Sequence, residues 1–341
     1  MKKKLIPVLF ILLVLAASLM SINTGVCQEA ARADSTLAVH TLIVEPDDGK
    51  AQVLEGINQA KQSIRLTIYE IGDPDILDAL KSAAQRGVEV KIIFNYHSFS
   101  EAQRGKILDI MRSLESKGVK TKVADRRFAH THQKSFVFDD KKAIIMSFNL
   151  QSNYFTNTRD FGIITLSSQE IDEITKVFEA DWLYSDITPS EEDLVWSPVN
   201  SNEKLIDLIR SAKKTIEIYN EEVADKEILD ELIKAAQTGV EIRFISAQLI
   251  GYDGRDGNIY GRKKLNDNGV KAKYGDFLYI HAKMILVDYG TENARVFVGS
   301  ENFSYTSLQK NRELGIIVEE NNILDRLHSI FNTDWDKSKF D

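Results

Sequence analysis

Apolar and polar positions alternate along this chain in two rhythms that change places in a fixed order. Residues 53–63 and 205–215 carry apolar side chains at helical spacing, and each stretch leads into a short run rich in β-branched residues, 64–69 and 216–219. A second helical pattern follows over 74–86 and 225–238. Each ends at a glycine, Gly87 or Gly239, suited to the left-handed turn that closes a helix. Further strands are expected over 88–95 and 240–246. Helices and strands in this alternation predict an α/β fold with largely buried sheets.

The two series are copies of one pattern. A shift of 152 residues brings Ala60-Lys61 onto Ala212-Lys213, and Ile76-Leu77-Asp78 onto Ile228-Leu229-Asp230. The same shift brings Gly87-Val88-Glu89 onto Gly239-Val240-Glu241. A shift of 153 brings Phe178 onto Phe331 and Asp181-Trp182 onto Asp334-Trp335, so the register persists to the end of each half. The chain therefore reads as domain one over 38–184, a linker over 185–200 marked by Pro189, Pro198 and Glu191-Glu192-Asp193, and domain two over 201–341.

Ahead of these lie three lysines within residues 1–4 and an apolar run over 5–20, the pattern of a secretory signal peptide. It is expected to span 1–33, with cleavage after Cys27 or Ala33, which implies an exported, periplasmic or secreted protein rather than one kept on a membrane anchor. Cys27 is the only cysteine in the 341 residues, so neither a disulfide framework nor a thiolate metal site can form.

Late in each half the repeat brings the same constellation. The first copy is His132-x-Lys134, then Asp139, then Ser147-x-Asn149; the second is His281-x-Lys283, then Asp288, then Ser300-x-Asn302. Residues two apart share a face of a strand, so each histidine is expected beside its lysine. An imidazole next to an ammonium suits chemistry at an anionic phosphorus centre, one attacking or moving a proton while the other meets charge on the oxygens. One His-x-Lys-x4-Asp arises by chance in about 0.04 of such chains. Two in repeat register do not arise that way.

These residues resemble the paired HKD motifs of the phospholipase D superfamily, and the resemblance covers both halves. It implies two α/β sandwich lobes fused as a pseudo-dimer around one active site, a monomer with an internal pseudo-twofold, using neither metal nor cofactor. It implies His132 as nucleophile, forming a phosphohistidine, and His281 as general acid. Lys134, Lys283, Asn149 and Asn302 would then hold the phosphoryl oxygens, with Ser147 and Ser300 supporting them. Asp139 and Asp288 would be structural. The acids that orient the histidines would be Asp160 and Glu313, each eleven residues after its asparagine and each preceded by an arginine, Arg159 or Arg312. Met146 departs from the glycine found before Ser300.

The other histidines carry less. His130 is expected at a strand entry; His40, His97 and His328 are expected to be structural or exposed. Tyr154, Phe155, Phe303 and Tyr305 follow the Ser-x-Asn elements and fit packing, acyl-chain contact or base stacking alike.

Charge bears on the substrate. The net of −8 becomes −11 once the leader and its surplus of three positive charges are removed. Yet Arg104 to Lys134 holds nine basic residues against three acids, and Arg262 to Lys283 six against two. Two such runs leading into the motifs predict a positive rim for an anionic partner. The expected function is a phospholipase D-type phosphodiester hydrolase acting on a phospholipid headgroup, with peripheral membrane contact. The alternative is an endonuclease acting on DNA or RNA.

Overall fold

Two aspartates start the second helix of each half. Asp73 accepts hydrogen bonds from the N–H groups of Asp75 and Ile76, and Asp225 from those of Glu227 and Ile228, capping helices Pro74–Gln85 and Lys226–Gln237. Gly87 and Gly239 follow those helices with φ of +91° and +98°, the left-handed turn at which a side chain would be strained. Local chemistry thus sets the same boundaries twice in this computed structural model, which describes residues 38–341. The leader expected over 1–33 lies outside the described residues.

The first lobe contributes β1 (His40–Glu45), β2 (Ser63–Ile68), β3 (Glu89–Phe94), β4 (Lys120–Val123), β5 (Ser135–Phe138), β6 (Lys142–Met146) and β7 (Thr158–Thr165). The second contributes β8 (Leu194–Ser197), β9 (Thr215–Asn220), β10 (Glu241–Ser246), β11 (Lys271–Tyr274), β12 (Tyr279–Ile280), β13 (Met284–Val287), β14 (Arg295–Gly299) and β15 (Glu313–Val318). The sheets run β1-β7-β6-β5-β2-β3-β4 and β8-β15-β14-β13-β9-β10-β11, one order used twice. β2, β3 and β4 pair in parallel, as do β9, β10 and β11. This is the duplicated two-lobe α/β fold that the repeat predicts.

One boundary differs. The stretch expected as linker over 185–200 contains β8, which pairs antiparallel with β15 and sets Ser197 opposite Glu313. Leu194, Val195 and Trp196 are fully buried there. Three apolar residues between an acidic run and a proline are too short a pattern to separate from a loop by periodicity.

Each lobe has its own apolar core between sheet and helices, one around Ile64, Leu66 and Phe136, the other around Ile216, Ile218 and Phe297. A further continuous core joins the lobes. It takes Val137, Ile145, Phe161 and Val177 from the first and Trp196, Tyr219, Met284 and Phe331 from the second. The helices Ser168–Leu183 and Asn321–Lys337 carry the apolar face that closes it. Their Asp181 and Asp334 are buried, and each binds an arginine of the opposite lobe. Arg312 reaches Asp181 at 2.9 Å, and Arg159 reaches Asp334 at 2.7 Å.

His40 is buried, a partner of Glu170 at 3.1 Å and of Glu320, so it ties β1 to the helix of its own lobe and to the start of the last helix of the other. Burial opposes its charge, but the two carboxylates prevail and raise its pKa from 6.5 to about 9.

Two outcomes follow. Arg159→Met leaves Asp334 buried with only the Tyr219 hydroxyl as donor and should cost about 3–5 kcal/mol in denaturant unfolding. Arg326→Met, at the more exposed pair with Asp48, should cost under about 1 kcal/mol. Because the His40 pKa is raised in the folded state, its contribution is complete below pH 6.5 and lost as pH rises through about 9. The stability gap between the parent and His40→Gln should therefore be up to about 3 kcal/mol at pH 6 and close above pH 9.

Candidate active site

β5 begins only at Ser135, so His132 and Lys134 lie on an extended lead-in to the strand, not within it. The other lobe holds that lead-in. The N–H groups of His132 and Gln133 both donate to the Arg312 carbonyl at 2.9 Å, and the Arg312 N–H donates to the His130 carbonyl at 2.9 Å. The second motif repeats the arrangement in reverse. Tyr279 and Ile280 of β12 pair in parallel with Thr158 and Arg159 of β7, and the N–H groups of His281 and Ala282 donate to the Arg159 carbonyl at 3.1 and 2.8 Å.

The acid after each arginine faces the histidine of the other lobe. His281 Nδ1 is 2.8 Å from Asp160 Oδ1, and His132 Nδ1 is 2.7 Å from Glu313 Oε2. Both acids are fully buried and held by neighbours. Asp160 accepts from the hydroxyls of Ser147 at 2.6 Å and Thr158 at 2.7 Å; Glu313 accepts from Ser307 at 2.8 Å and Asn311 at 2.9 Å. Burial would raise the Glu313 pKa, but His132, Lys134 and Asn311 together hold it below the usual carboxylate range. An ionised carboxylate only accepts, so Nδ1 of His132 carries the proton and Nε2 presents a lone pair. Burial pushes the His132 pKa down to about 4, Glu313 opposing and Lys134 adding to the fall, so the ring is neutral at neutral pH.

Lys134 and Lys283 are fully buried. Each ammonium donates to the carbonyl of its own histidine, at 2.6 and 2.5 Å, which explains why the x-spaced pair stays together outside a strand. Burial, only partly offset by Glu313, brings the Lys134 pKa down to about 7. Lys283 also lowers it, and Lys283 acts on His132 too, so the two half-sites share one field. Asn149 and Asn302 are buried, each with an Oδ1 that has no hydrogen-bond partner among the described residues.

The other expected residues are placed as follows. Ser147 and Ser300 turn away from the lysines; Ser147 binds Asp160 and the backbone of Phe161, and Ser300 the backbone of Leu314, so they brace the acid-bearing strands. Asp139 accepts from the N–H groups of Lys61, Gln62 and Ser63, and Asp288 from those of Lys213, Lys214 and Thr215. Asp139 thus pins the turn entering β2, and Asp288 the turn entering β9. His130 is not at a strand entry. It lines a cleft of about 350 Å³ with Tyr69, His132, Glu222, Asn302 and Asn311, because the lead-in crosses to the other lobe before β5 starts.

Tyr154 packs edge-on to His281 with ring centres 5.0 Å apart. Phe155 and Phe303 are core residues, and Tyr305 is exposed. Met146 and Phe148 are fully buried in the first lobe, whereas Gly299 and Gly315 face each other in the second. A Cβ on Gly299 would meet the Gly315 Cα at 2.6 Å.

Four functional neighbours lay beyond the motif reading: Tyr69, Glu221, Tyr279 and Asn311. Tyr69 sits edge-on to His132 at 4.7 Å, and Glu221 binds Lys283 at 2.9 Å and the Tyr279 hydroxyl at 2.7 Å. A usable signal existed for two of them, since the 152-residue shift brings Tyr69 onto Glu221.

The expected positive rim is only partly neutralised: Arg104, Lys106, Lys117 and Arg126 have no ion-pair partner among the described residues, while others of the two runs are paired. Lys120 pairs with Glu89, Arg127 with Asp181 and Asp186, Lys264 with Asp230, and Lys271 with Glu241, while Arg262 is buried between Asp256 and Asp341. Most of these acids are remote in sequence and close across the fold, so a count along the chain missed them.

Comparison with known proteins agrees with this geometry. A family model described as the cardiolipin synthase PLD-like domain matches twice, over residues 53–182 and 205–335. Curated relatives include a cardiolipin synthase of Clostridium perfringens, 26% identical over 78% of this chain and 64% of its own length. Another is from Listeria innocua, 22% identical over 84% of this chain and 66% of its own. The chain thus spans about two thirds of the length of the curated relatives it matches. Among solved structures, phosphatidylserine synthase of Haemophilus influenzae superposes with a TM-score of 0.68 at 14% identity, over 88% of this chain and 87% of that one. Polyphosphate kinase of Porphyromonas gingivalis gives 0.70 at 16% identity, over 86% of this chain and 46% of that one.

The relatives correct one expectation. A periplasmic or secreted location rests on the basic and apolar start alone, and it does not stand beside bacterial relatives named for making a membrane lipid. Among the described residues no helix is long and apolar enough to cross a membrane.

The crossed pairing has a direct spectroscopic consequence. In protein with ¹⁵N-labelled histidine, Asp160→Asn should move the ring-nitrogen signals of His281 while leaving those of His132 in place. Glu313→Gln should do the converse.

Proposed function

The chain belongs to the phospholipase D superfamily, in its cardiolipin synthase-type PLD-like domain family, and from that premise we propose that it breaks and re-forms phosphodiester bonds at phospholipid headgroups. The observation that carries the reading is the crossed pair of histidine–carboxylate contacts, His132 with Glu313 and His281 with Asp160. It sets two imidazoles from two lobes at one seam, each with its Nδ1 committed to a carboxylate of the other lobe.

His132 is the nucleophile. It is neutral at neutral pH, and its Nδ1 proton is committed to Glu313. Its Nε2 lone pair attacks phosphorus, the P–O bond to the headgroup breaks, and His281 gives its Nε2 proton to the departing alkoxide. That leaves a phosphoryl group on His132 and a neutral His281. In the second half His281 takes a proton from the acceptor, whose oxygen attacks phosphorus as the P–N bond breaks, restoring both rings. Lys134, Lys283, Asn149 and Asn302 meet the charge on the phosphoryl oxygens, so the reading assigns that task to the chain itself. With water as acceptor the products are a free alcohol and phosphatidic acid; with an alcohol the product is a new diester. Relatives named as synthases support the second outcome beside the hydrolysis read from the sequence. The endonuclease alternative rested on the basic runs and on the aromatic residues after the motifs; part of that charge is held by internal ion pairs, and the curated relatives carry the names of lipid synthases.

The test is headgroup release and exchange from phosphatidylglycerol, phosphatidylethanolamine and phosphatidylcholine in mixed micelles with EDTA, with DNA and RNA in parallel. Lipid turnover is expected, and His132→Asn and His281→Asn should each lower kcat by about 10³-fold or more. Intact lipid alongside cleaved polynucleotide would sink the reading. Since protonated His132 cannot attack, kcat/KM should fall as pH drops through about 4.

A further inference from the structure

The duplication is not chemically even, and the inequality lies at one atom. Glu221 follows β9 at the position where Tyr69 follows β2. Its Oε2 is 2.9 Å from Lys283 Nζ, 3.3 Å from Asn302 Nδ2 and 3.7 Å from His281 Nε2. Those are the three groups of the second lobe that would meet a phosphoryl oxygen. Oε1 is fixed from behind by the Tyr279 hydroxyl at 2.7 Å, so the carboxylate is set in place. In the first lobe the same position holds an aromatic ring. The Lys134 ammonium lies 5.1 Å from the Tyr69 ring centre, and its hydrogen bond goes to the His132 carbonyl. No carboxylate oxygen lies within ion-pair distance of Lys134 among the described residues, whereas Lys283 has Glu221.

We propose that Glu221 is a specificity-determining residue that occupies the second lobe's share of the phosphoryl seat with a fixed negative charge, tuning the seat to monoanionic phosphodiesters over dianionic phosphates. The proposal rests on reading this site as a phosphodiester seat. With an anion seated, the two ammonium groups facing it carry two positive charges; the Glu221 carboxylate cancels one. What remains matches a diester, which carries one negative charge, and is short by one for a phosphate monoester or a free dianion. Burial would raise the Glu221 pKa, but Lys283, His281 and the Tyr279 hydroxyl hold the carboxyl well below its usual range, so the charge is present at any working pH. A phosphoryl oxygen that enters beside Oε2 shares Lys283 and Asn302 with it as donors. A dianion held there stays next to the same carboxylate and is repelled twice as strongly as a diester.

The experiment measures anion binding by calorimetry at pH 6.5, with sulfate as a tetrahedral dianion and dimethyl phosphate as a monoanion. The parent should bind dimethyl phosphate more tightly than sulfate. Glu221→Gln keeps the shape and removes the charge, and should raise the ratio of sulfate to dimethyl phosphate affinity by about tenfold or more. Glu221→Tyr, which installs the first lobe's residue, should move the ratio the same way. A ratio unchanged in both variants overturns the proposal and leaves the phosphodiester reading standing. Should neither variant fold, the parent decides alone, and tighter sulfate binding overturns the proposal. If none of the three proteins binds either anion, the seat itself is absent and the proposed function falls with it.

Discussion

The carbonyl oxygens of Arg159 and Arg312 are the points on which this site turns. Each accepts two N–H groups from the opposite lobe, one of them the histidine's own. The next residue in each strand is the acid that binds that histidine's ring, and the arginine side chain runs on to a buried aspartate of the opposite lobe's last helix. Three successive contacts therefore cross the seam at each copy. A backbone pair fixes where the imidazole stands, the carboxylate fixes which nitrogen holds the proton, and the buried ion pair makes separation of the lobes costly. The histidines cannot keep their geometry in one lobe alone.

That crossing explains why the copies have been able to diverge. The backbone exchange uses carbonyls and N–H groups, which any residue supplies, so the side chains around it are free to differ. Thr158 in one copy and Asn311 in the other both donate to the acid two residues on. Glu45 and Ser197 stand opposite Asp160 and Glu313 on the outer strands, and Phe148 and Glu301 sit between the motif serine and asparagine. The Glu45 carboxyl is fully buried, and burial first, then Asp160, raises its pKa to about 8 against a backbone hydrogen bond from Gly49. It stays protonated at neutral pH and adds no second charge beside Asp160. Glu301 is likewise buried, and burial with nearby Glu313 holds its pKa well above the usual range.

Most of the fold was legible because its signals are local and occur twice. Helix boundaries at Asp73, Asp225, Gly87 and Gly239 rest on caps and turns within a few residues, and the structure places them within one or two positions. Strand β8 was not legible, since Leu194–Ser197 is recognisable only once β15 lies beside it. The motif histidines and lysines stand out as repeated residues, but their setting does not. Pairing within a strand was expected, and the structure instead holds each pair by a lysine bond to a carbonyl and each lead-in by the other lobe. Glu221 was invisible to motif reading for the reason that makes it interesting: it departs from the repeat.

Charge taught the same lesson at two scales. Counted along the chain, the basic runs before each motif suggested a rim; across the fold, part of that charge is paired with acids from other elements. What survives at the site is two ammonium groups with no access to water, and a buried cation is unfavourable unless an anion completes it. Lys283 is completed by Glu221 within the chain. Lys134 has its histidine's carbonyl and no carboxylate within ion-pair distance among the described residues, and burial has brought its pKa down to about 7. On the proposed reading, a phosphodiester seated between the lobes supplies the missing negative charge on that side. The lobe whose ammonium lacks a carboxylate is then also the lobe whose histidine is neutral, so the two copies of one motif differ in the charge around their key residues.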